Sequence, residues 1–356
     1  MNLLDTKSTY QKTKRTINLL LIISIVSFAF SSFNHLIGQD IHFSQYMNSP
    51  LNLNPALTAY SRSSYRLTLN SRSQWASVTV PYQNISASFE AKIIKRKKQR
   101  NYLGLGVIFN KDQAGDSKYG TIQAGLSASF VKALKRNGNN VISIGIQSSY
   151  FQRSIDYSQL YFQDSWNGIT SSSSNGNSEN FSVNSYSFFD ISAGVHWFVQ
   201  ANKRLKFNTG ISVWHLNTPS QTLMSTDAQL SIKTQFYSEA LINTDRPFDI
   251  IPSIIYSFQG PYQEFLLGVK FYSKFHENKK NYFALTYGVY GRSRDALILY
   301  LGMDYRNIKF AATYDFNLSS LTIASNAMGG TELSVQWLIF KSKKSRKISP
   351  TPCPIF

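Results

Sequence analysis

Along most of the chain, apolar side chains return at every second position. Leu103, Leu105, Val107 and Phe109 follow this rhythm. So do Ile122, Ala124, Leu126, Ala128 and Phe130, with Gln123, Gly125, Ser127 and Ser129 between them. Ile142, Ile144 and Ile146 alternate with Ser143, Gly145 and Gln147. The pattern recurs at Leu205 to Val213, at Leu297 to Tyr305 and at Leu333 to Ile339. Successive side chains of a strand point to opposite faces, so each segment reads as a strand with one apolar face and one small or polar face. A soluble β-sandwich alternates too. Here the second face is rich in Gly, Ser and Gln, and the segments run about ten to twelve residues, the length that crosses a membrane at a tilt. About fourteen such segments fit between Ser63 and Phe340, an even number, as bacterial barrels have. The fold expected is all-β: an outer-membrane barrel of antiparallel strands over residues 63–340.

Connections sort by side. With the amino terminus in the periplasm, the even-to-odd turns contain Lys95–Arg100, Lys135–Asn140, Ala201–Arg204, Asn243–Arg246, His276–Lys280 and Tyr305–Asn307. These are short and mostly basic. The opposite side receives Asp156–Asn184, Asn217–Ala228 and Asn317–Gly330. Short periplasmic turns and longer outer loops are the outer-membrane pattern. Asn137-Gly138 is a hairpin signal within it.

The amino terminus points to export. Lys7, Lys12, Lys14 and Arg15 precede an uncharged apolar run of 14 residues, Ile17 to Phe30, short for a membrane span. Residues 1–38 read as a signal peptide cut before Gln39, with an uncleaved anchor as the alternative. No later segment has about twenty apolar residues in a row, so no second membrane helix is expected. Aromatics make up 14% of the chain, as interface girdles of a barrel would require. The lone Cys353 allows no internal disulfide.

Between the leader and the first strand, residues 39–62 are rich in Asn, Pro and Ser yet carry Phe43, Tyr46, Met47, Leu51, Leu53 and Leu57. Pro50 and Pro55 exclude a long helix, and the large apolar groups argue against a linker. A barrel of about fourteen strands is too wide for wall side chains to fill. Irregular backbone at membrane depth is tolerated inside protein, so the segment is expected to act as a plug.

Charge follows the same phase. Glu90, Asp190, Asp304, Asp315 and Glu332, with Arg66, Arg72 and Lys309, fall on the polar face and form an expected lumen ion network; a charged pore is the alternative. Barrel closure brings Arg66 and Arg72 of the first strand beside Glu332 of the last, with Asp315 as a second partner.

The net charge of +18 calls for an acidic partner. The basic residues lack the aromatic interleaving of a nucleic-acid surface, and none is expected. The five histidines show no paired metal-ligand spacing, and no nucleophile or nucleotide-binding motif is present. No catalytic, cofactor-binding or metal site is expected. His196 and His215 could serve a lipid-modifying enzyme but read better as polar lumen residues. Gly104 and Gly106 read as small residues on a crowded inner face. The basic tail, residues 341–356, supplies Lys341, Lys343, Lys344, Arg346 and Lys347 and ends in Cys353, Pro354, Ile355 and Phe356. It is expected on the periplasmic side, as solvated charge or as a docking surface.

The stretch "FSQYMNSPLNLNPALTAY" contains Phe43, Ser44, Gln45, Tyr46, Met47, Asn48, Pro50, Asn54, Pro55 and Ala56. It resembles the amino-terminal motif of the PorP/SprF family of type IX secretion proteins. Pro252–Tyr272, Tyr314–Trp337 and the terminal "CPIF" extend the resemblance, although Ile355 stands where the family usually has Arg. The "NPA" of Asn54–Ala56 is also similar to the plug segment of FadL-like barrels. The family resemblance implies a non-enzymatic outer-membrane protein that assists export or surface attachment of particular proteins, including adhesins used in gliding. Its implied partners are outer-membrane lipid, the carboxy-terminal domain of cargo and other secretion components. A FadL-like transporter of small hydrophobic solutes is the alternative.

Overall fold

The computed structural model describes residues 40–78, 80–96, 101–135, 138–160, 183–221, 229–276, 282–319 and 322–341. The expected leader and nearly all of the basic tail lie outside these. Fourteen strands account for most of the rest: β1 (Tyr65–Gln74), β2 (Tyr82–Arg96), β3 (Asn101–Ala114), β4 (Tyr119–Ala133), β5 (Asn140–Ser154), β6 (Ser185–Gln200) and β7 (Leu205–Trp214), then β8 (Lys233–Ile242), β9 (Phe248–Gln259), β10 (Tyr262–His276), β11 (Phe283–Arg292), β12 (Ala296–Tyr305), β13 (Ile308–Asn317) and β14 (Met328–Ile339). Each pairs antiparallel with its neighbours in sequence, and β1 pairs with β14 to close the barrel. The seam register sets Arg72 opposite Glu332 and Leu69 opposite Val335.

The apolar phase faces outward. On β3, Leu105 and Val107 are 48% and 49% exposed, while Asn110 and Ile108 beside them are buried. On β4, Leu126 is exposed and Ser127 and Ser129 are buried. An apolar outward face of this kind costs free energy in water and is stable against lipid. Neighbouring strand backbones satisfy one another round the ring, save for a gap between β8 and β9.

The inner face differs between the two halves. On β1 to β5 it carries Thr68, Asn70, Ser86, Asn110, Gln123, Ser143 and Gln147, all buried. On β8 to β12 it carries Tyr237, Ile255, Leu266, Tyr290, Ile298 and Tyr300, a single apolar cluster. A uniformly small or polar inner face is therefore corrected for this second half. The cluster is completed by Tyr46, Leu53 and Leu57 of the preceding segment, which give these large side chains something to pack against.

The ladder between β8 and β9 lapses. β8 and β9 pair from Lys233–Gln259 to Glu239–Ser253 and again at Ile242–Ile250, but not at Ala240, Leu241, Ile251 and Pro252. Pro252 has no N–H to give. Inside the wall, Lys270 of β10 donates to Glu239 of β8 at 2.8 Å, an ion pair that straddles β9 at the gap.

Candidate functional site

Residues 40–64 pass through the barrel as an irregular chain with three short turns: a 3-10 turn at Tyr46–Asn48, a helical turn at Pro50–Leu53 and a second 3-10 turn at Pro55–Leu57. Prolines open the last two, where their missing N–H has no partner to lose. The Asn54 side chain accepts from Ala56 N at 2.8 Å and so caps the last turn. Leu51, Leu53, Asn54, Ala56 and Thr58 are at most 2% exposed. Their partners lie on the inner faces of strands all round the ring, which places the segment in the lumen.

At the long-loop end, two carboxylates receive it. Glu332 accepts from the backbone of Ser44 (2.8 Å) and Gln45 (3.0 Å). Asp315 accepts from the Ser44 hydroxyl and from Arg72 Nη2, the latter at 3.0 Å. Arg72 Nη1 also donates to His42 O (2.6 Å), and Arg292 donates to Ser44 Oγ (2.6 Å) while lying 3.2 Å from Asp315. Such charges are tolerated away from water only because each is paired and hydrogen-bonded.

Mid-lumen contacts depend on absent side chains. A Cβ on Gly194 would sit 2.0 Å from Asn54 Oδ1, and one on Gly145 would sit 2.4 Å from the Pro55 backbone. The wall approaches so closely that Asn54 Nδ2 donates to the carbonyls of Val195 and Ile211, both at 3.0 Å. Ser212 and Ser143 donate to Leu53 O and Ala56 O, at 2.7 and 2.6 Å. Asn48 donates to Tyr300 and Ser334, and its carbonyl accepts from Gln336.

At the short-turn end, Arg66 and Glu90 form a two-bond pair, Nε–Oε1 2.8 Å and Nη2–Oε2 2.6 Å. Arg66 also donates to Leu57 O and Tyr60 O, Glu90 accepts from Ala59 N, and Lys92 donates to Ser61 O. Thr58 shares a hydrogen bond with Ser127 and accepts from Ser129.

The eight charges expected in one lumen network fall into four groups. Arg66 pairs with Glu90. Arg72, Asp315 and Glu332 cluster at the opposite end, where the hydrogen bond runs to Asp315 and Glu332 lies 3.9 Å from Arg72 Nε. Asp190 joins neither; it accepts from His215 at 2.9 Å. Asp304 and Lys309 pair at 3.3 Å near the short turn Arg306–Asn307, and Lys309 is exposed rather than buried. Lys309 shares the inner phase of β13 with Ala311, Thr313 and Asp315 and sits next to the strand end, where its ammonium reaches water.

Arg292, Glu264, Glu239 and Lys270 are further inner charges that escaped the sequence reading, although Glu264 and Lys270 share one phase of β10. His196 is buried in the lumen, sharing a 2.9 Å hydrogen bond with Tyr237. Among the described residues no cluster of His, Cys, Asp and Glu could hold a metal. Of the expected docking residues only Lys341 is described; it is exposed, with its N–H directed to Ser64 Oγ. Lys343, Lys344, Arg346, Lys347, Cys353, Pro354 and Phe356 lie outside the described residues.

The fold resembles several solved barrels at low identity. The CymD monoaromatic hydrocarbon channel matches 86% of this chain and 95% of its own at 10% identity and a TM-score of 0.48. A Pseudomonas aeruginosa FadL homologue matches 80% and 92% at 12% identity and 0.45. The Ralstonia pickettii toluene transporter TbuX matches 80% and 92% at 8% identity and 0.46. No curated protein matches in sequence. The sequence profile described as type IX secretion system membrane protein PorP/SprF matches residues 36–337, which takes in the lumen segment and nearly the whole wall. This chain belongs to the PorP/SprF family and is an outer-membrane β-barrel associated with type IX secretion.

Proposed function

We propose that this protein is a non-enzymatic docking component of type IX secretion that assists the export or surface attachment of a few specific proteins, adhesins of gliding among them. Family membership supports the secretion role. The observation that carries the docking role is a lumen occupied by the chain's own residues from Ser44 to Ala59 and bonded at both ends. In this reading residues 39–62 are a plug, and cargo engages the protein at a rim rather than through the wall's interior. The basic short-turn side is the docking face, with Lys341, Lys343, Lys344, Arg346 and Lys347 attracting an acidic partner and Cys353, Pro354 and Phe356 adding an apolar anchor. Clustered charge of this kind acts mainly on encounter rate and weakens with salt.

Affinity capture from native outer membranes tests the reading. The carboxy-terminal domain of one or a few large surface proteins should be retained, and less of it at high salt. Recovery of lipid and abundant porins alone, from membranes in which the cargo is present, would contradict it.

The second reading, a transporter of small hydrophobic solutes, draws on the apolar half of the lumen and the ladder gap at Pro252. Uptake of a labelled aromatic hydrocarbon that depends on this chain would favour it.

A further inference from the structure

The lumen segment has a direction. Asp40, its first described residue, bonds to His215 Nε2 at 2.5 Å. His215 directly follows β7 in a long-loop connection, and its Nδ1 bonds to Asp190 Oδ1 at 2.9 Å. His42 and Ser44 then meet Arg72 and Arg292, near the ends of β1 and β11 on the side that carries the long loops. The chain descends past Asn54 to Ala59 and Ser61, which meet Glu90 and Lys92 near the β2–β3 turn. It therefore enters at the long-loop mouth and leaves at the short-turn mouth, where β1 begins. His215 is 2% exposed and has φ of +60°, a left-handed backbone costly for a residue with a side chain. That conformation sets its ring between the two carboxylates.

We infer that the amino end of the lumen segment is presented at the cell-surface mouth, moored there by the Asp40–His215–Asp190 bonds. Long loops mark the outer side, so Asp40 and the residues just after it lie with them and not with the periplasmic turns.

A thiol-labelling comparison decides this. In a Cys353→Ser background, Ile41→Cys, Ser220→Cys in the β7–β8 connection and Lys203→Cys in the β6–β7 turn are treated on intact cells with a membrane-impermeant maleimide. Ile41→Cys should follow Ser220→Cys and label several-fold more than Lys203→Cys. If it labels only after the outer membrane is permeabilised, as Lys203→Cys should, or in neither state, the inference is overturned. If Lys203→Cys is the accessible control, the barrel is inverted and the inference is overturned. The mooring has its own readout in His215→Gln. The variant should keep the heat-modifiable migration of a folded barrel and show faster amide exchange at residues 41–44, with residues 57–59 unchanged. Equal exchange at both ends would refute the mooring.

Discussion

Arg72 of β1 and Asp315 of β13 meet at 3.0 Å inside the barrel, across β14, which lies between them. The bond spans the seam where the chain closes on itself, and both side chains are at most 4% exposed. Arg72 also holds the carbonyl of His42, so closure of the wall and seating of the lumen segment share one guanidinium.

Replacing Arg72 with Met should therefore destabilise the barrel by about 3–5 kcal/mol, because Asp315 and Glu332 lose a buried partner. The temperature at which the purified protein loses its heat-modifiable form measures this. Asp315→Asn combined with Arg72→Met should cost much less than the sum of the singles. An unchanged transition for Arg72→Met would mean that water already screens the cluster.

Gly194 and Asn54 form a second coupled pair. A methyl group at Gly194 would meet Asn54 Oδ1 at 2.0 Å, so Gly194→Ala should impair folding by displacing the Asn54 amide from two wall carbonyls. Gly194→Ala made together with Asn54→Gly removes the clash, and the yield of folded barrel should partly recover. No recovery would show that Gly194 is needed for the wall itself.

The mooring at His215 should respond to pH. Burial pushes its imidazole down, but the Asp40 charge and the hydrogen bonds to Asp190 and Asp40 outweigh this and lift it from 6.5 to about 9. Arg153 of β5 and Lys233 of β8 act on the same Asp40. A group raised on folding stabilises fully below its unfolded pKa and loses that contribution as pH climbs through the folded value. The melting difference between wild type and His215→Gln should be largest below pH 6.5 and shrink through about pH 9. A constant difference would place the stabilisation in packing alone.

At the ladder gap, Lys270→Met removes the ammonium that ties β10 to β8 across Pro252. Amide exchange over residues 239–242 and 250–254 should accelerate relative to β3 and β4, whose ladder is continuous. Uniform exchange round the ring would show that the gap is not a weak point.

The wall was legible in the sequence because lipid outside and a lined lumen inside impose one rule on every strand. Leu105 and Gly106, or Leu126 and Ser127, had to face opposite ways. The lumen segment was legible from Pro50, Pro55 and its apolar groups, which suit neither helix nor linker. The partners of the charges were not, because phase tells which side a residue faces and not how far across the lumen it reaches. Arg72 bypasses the residue opposite it, Glu332, for a hydrogen bond to Asp315 one strand further on. The aromatic inner face of β8 to β12 was hidden for a related reason. Ile298 and Tyr300 alternate with Leu297, Leu299 and Leu301, so that run is apolar on both faces. Asp40 and His215 lie outside every alternating segment and left no pattern to find.

The surface proteome of cells with and without this protein tests the secretion role most directly. Loss of the chain should remove one or a few large proteins from the cell surface while other type IX cargo is still exported, and restoring it should bring them back. A surface proteome that stays unchanged, in cells shown to express those proteins, would contradict the account.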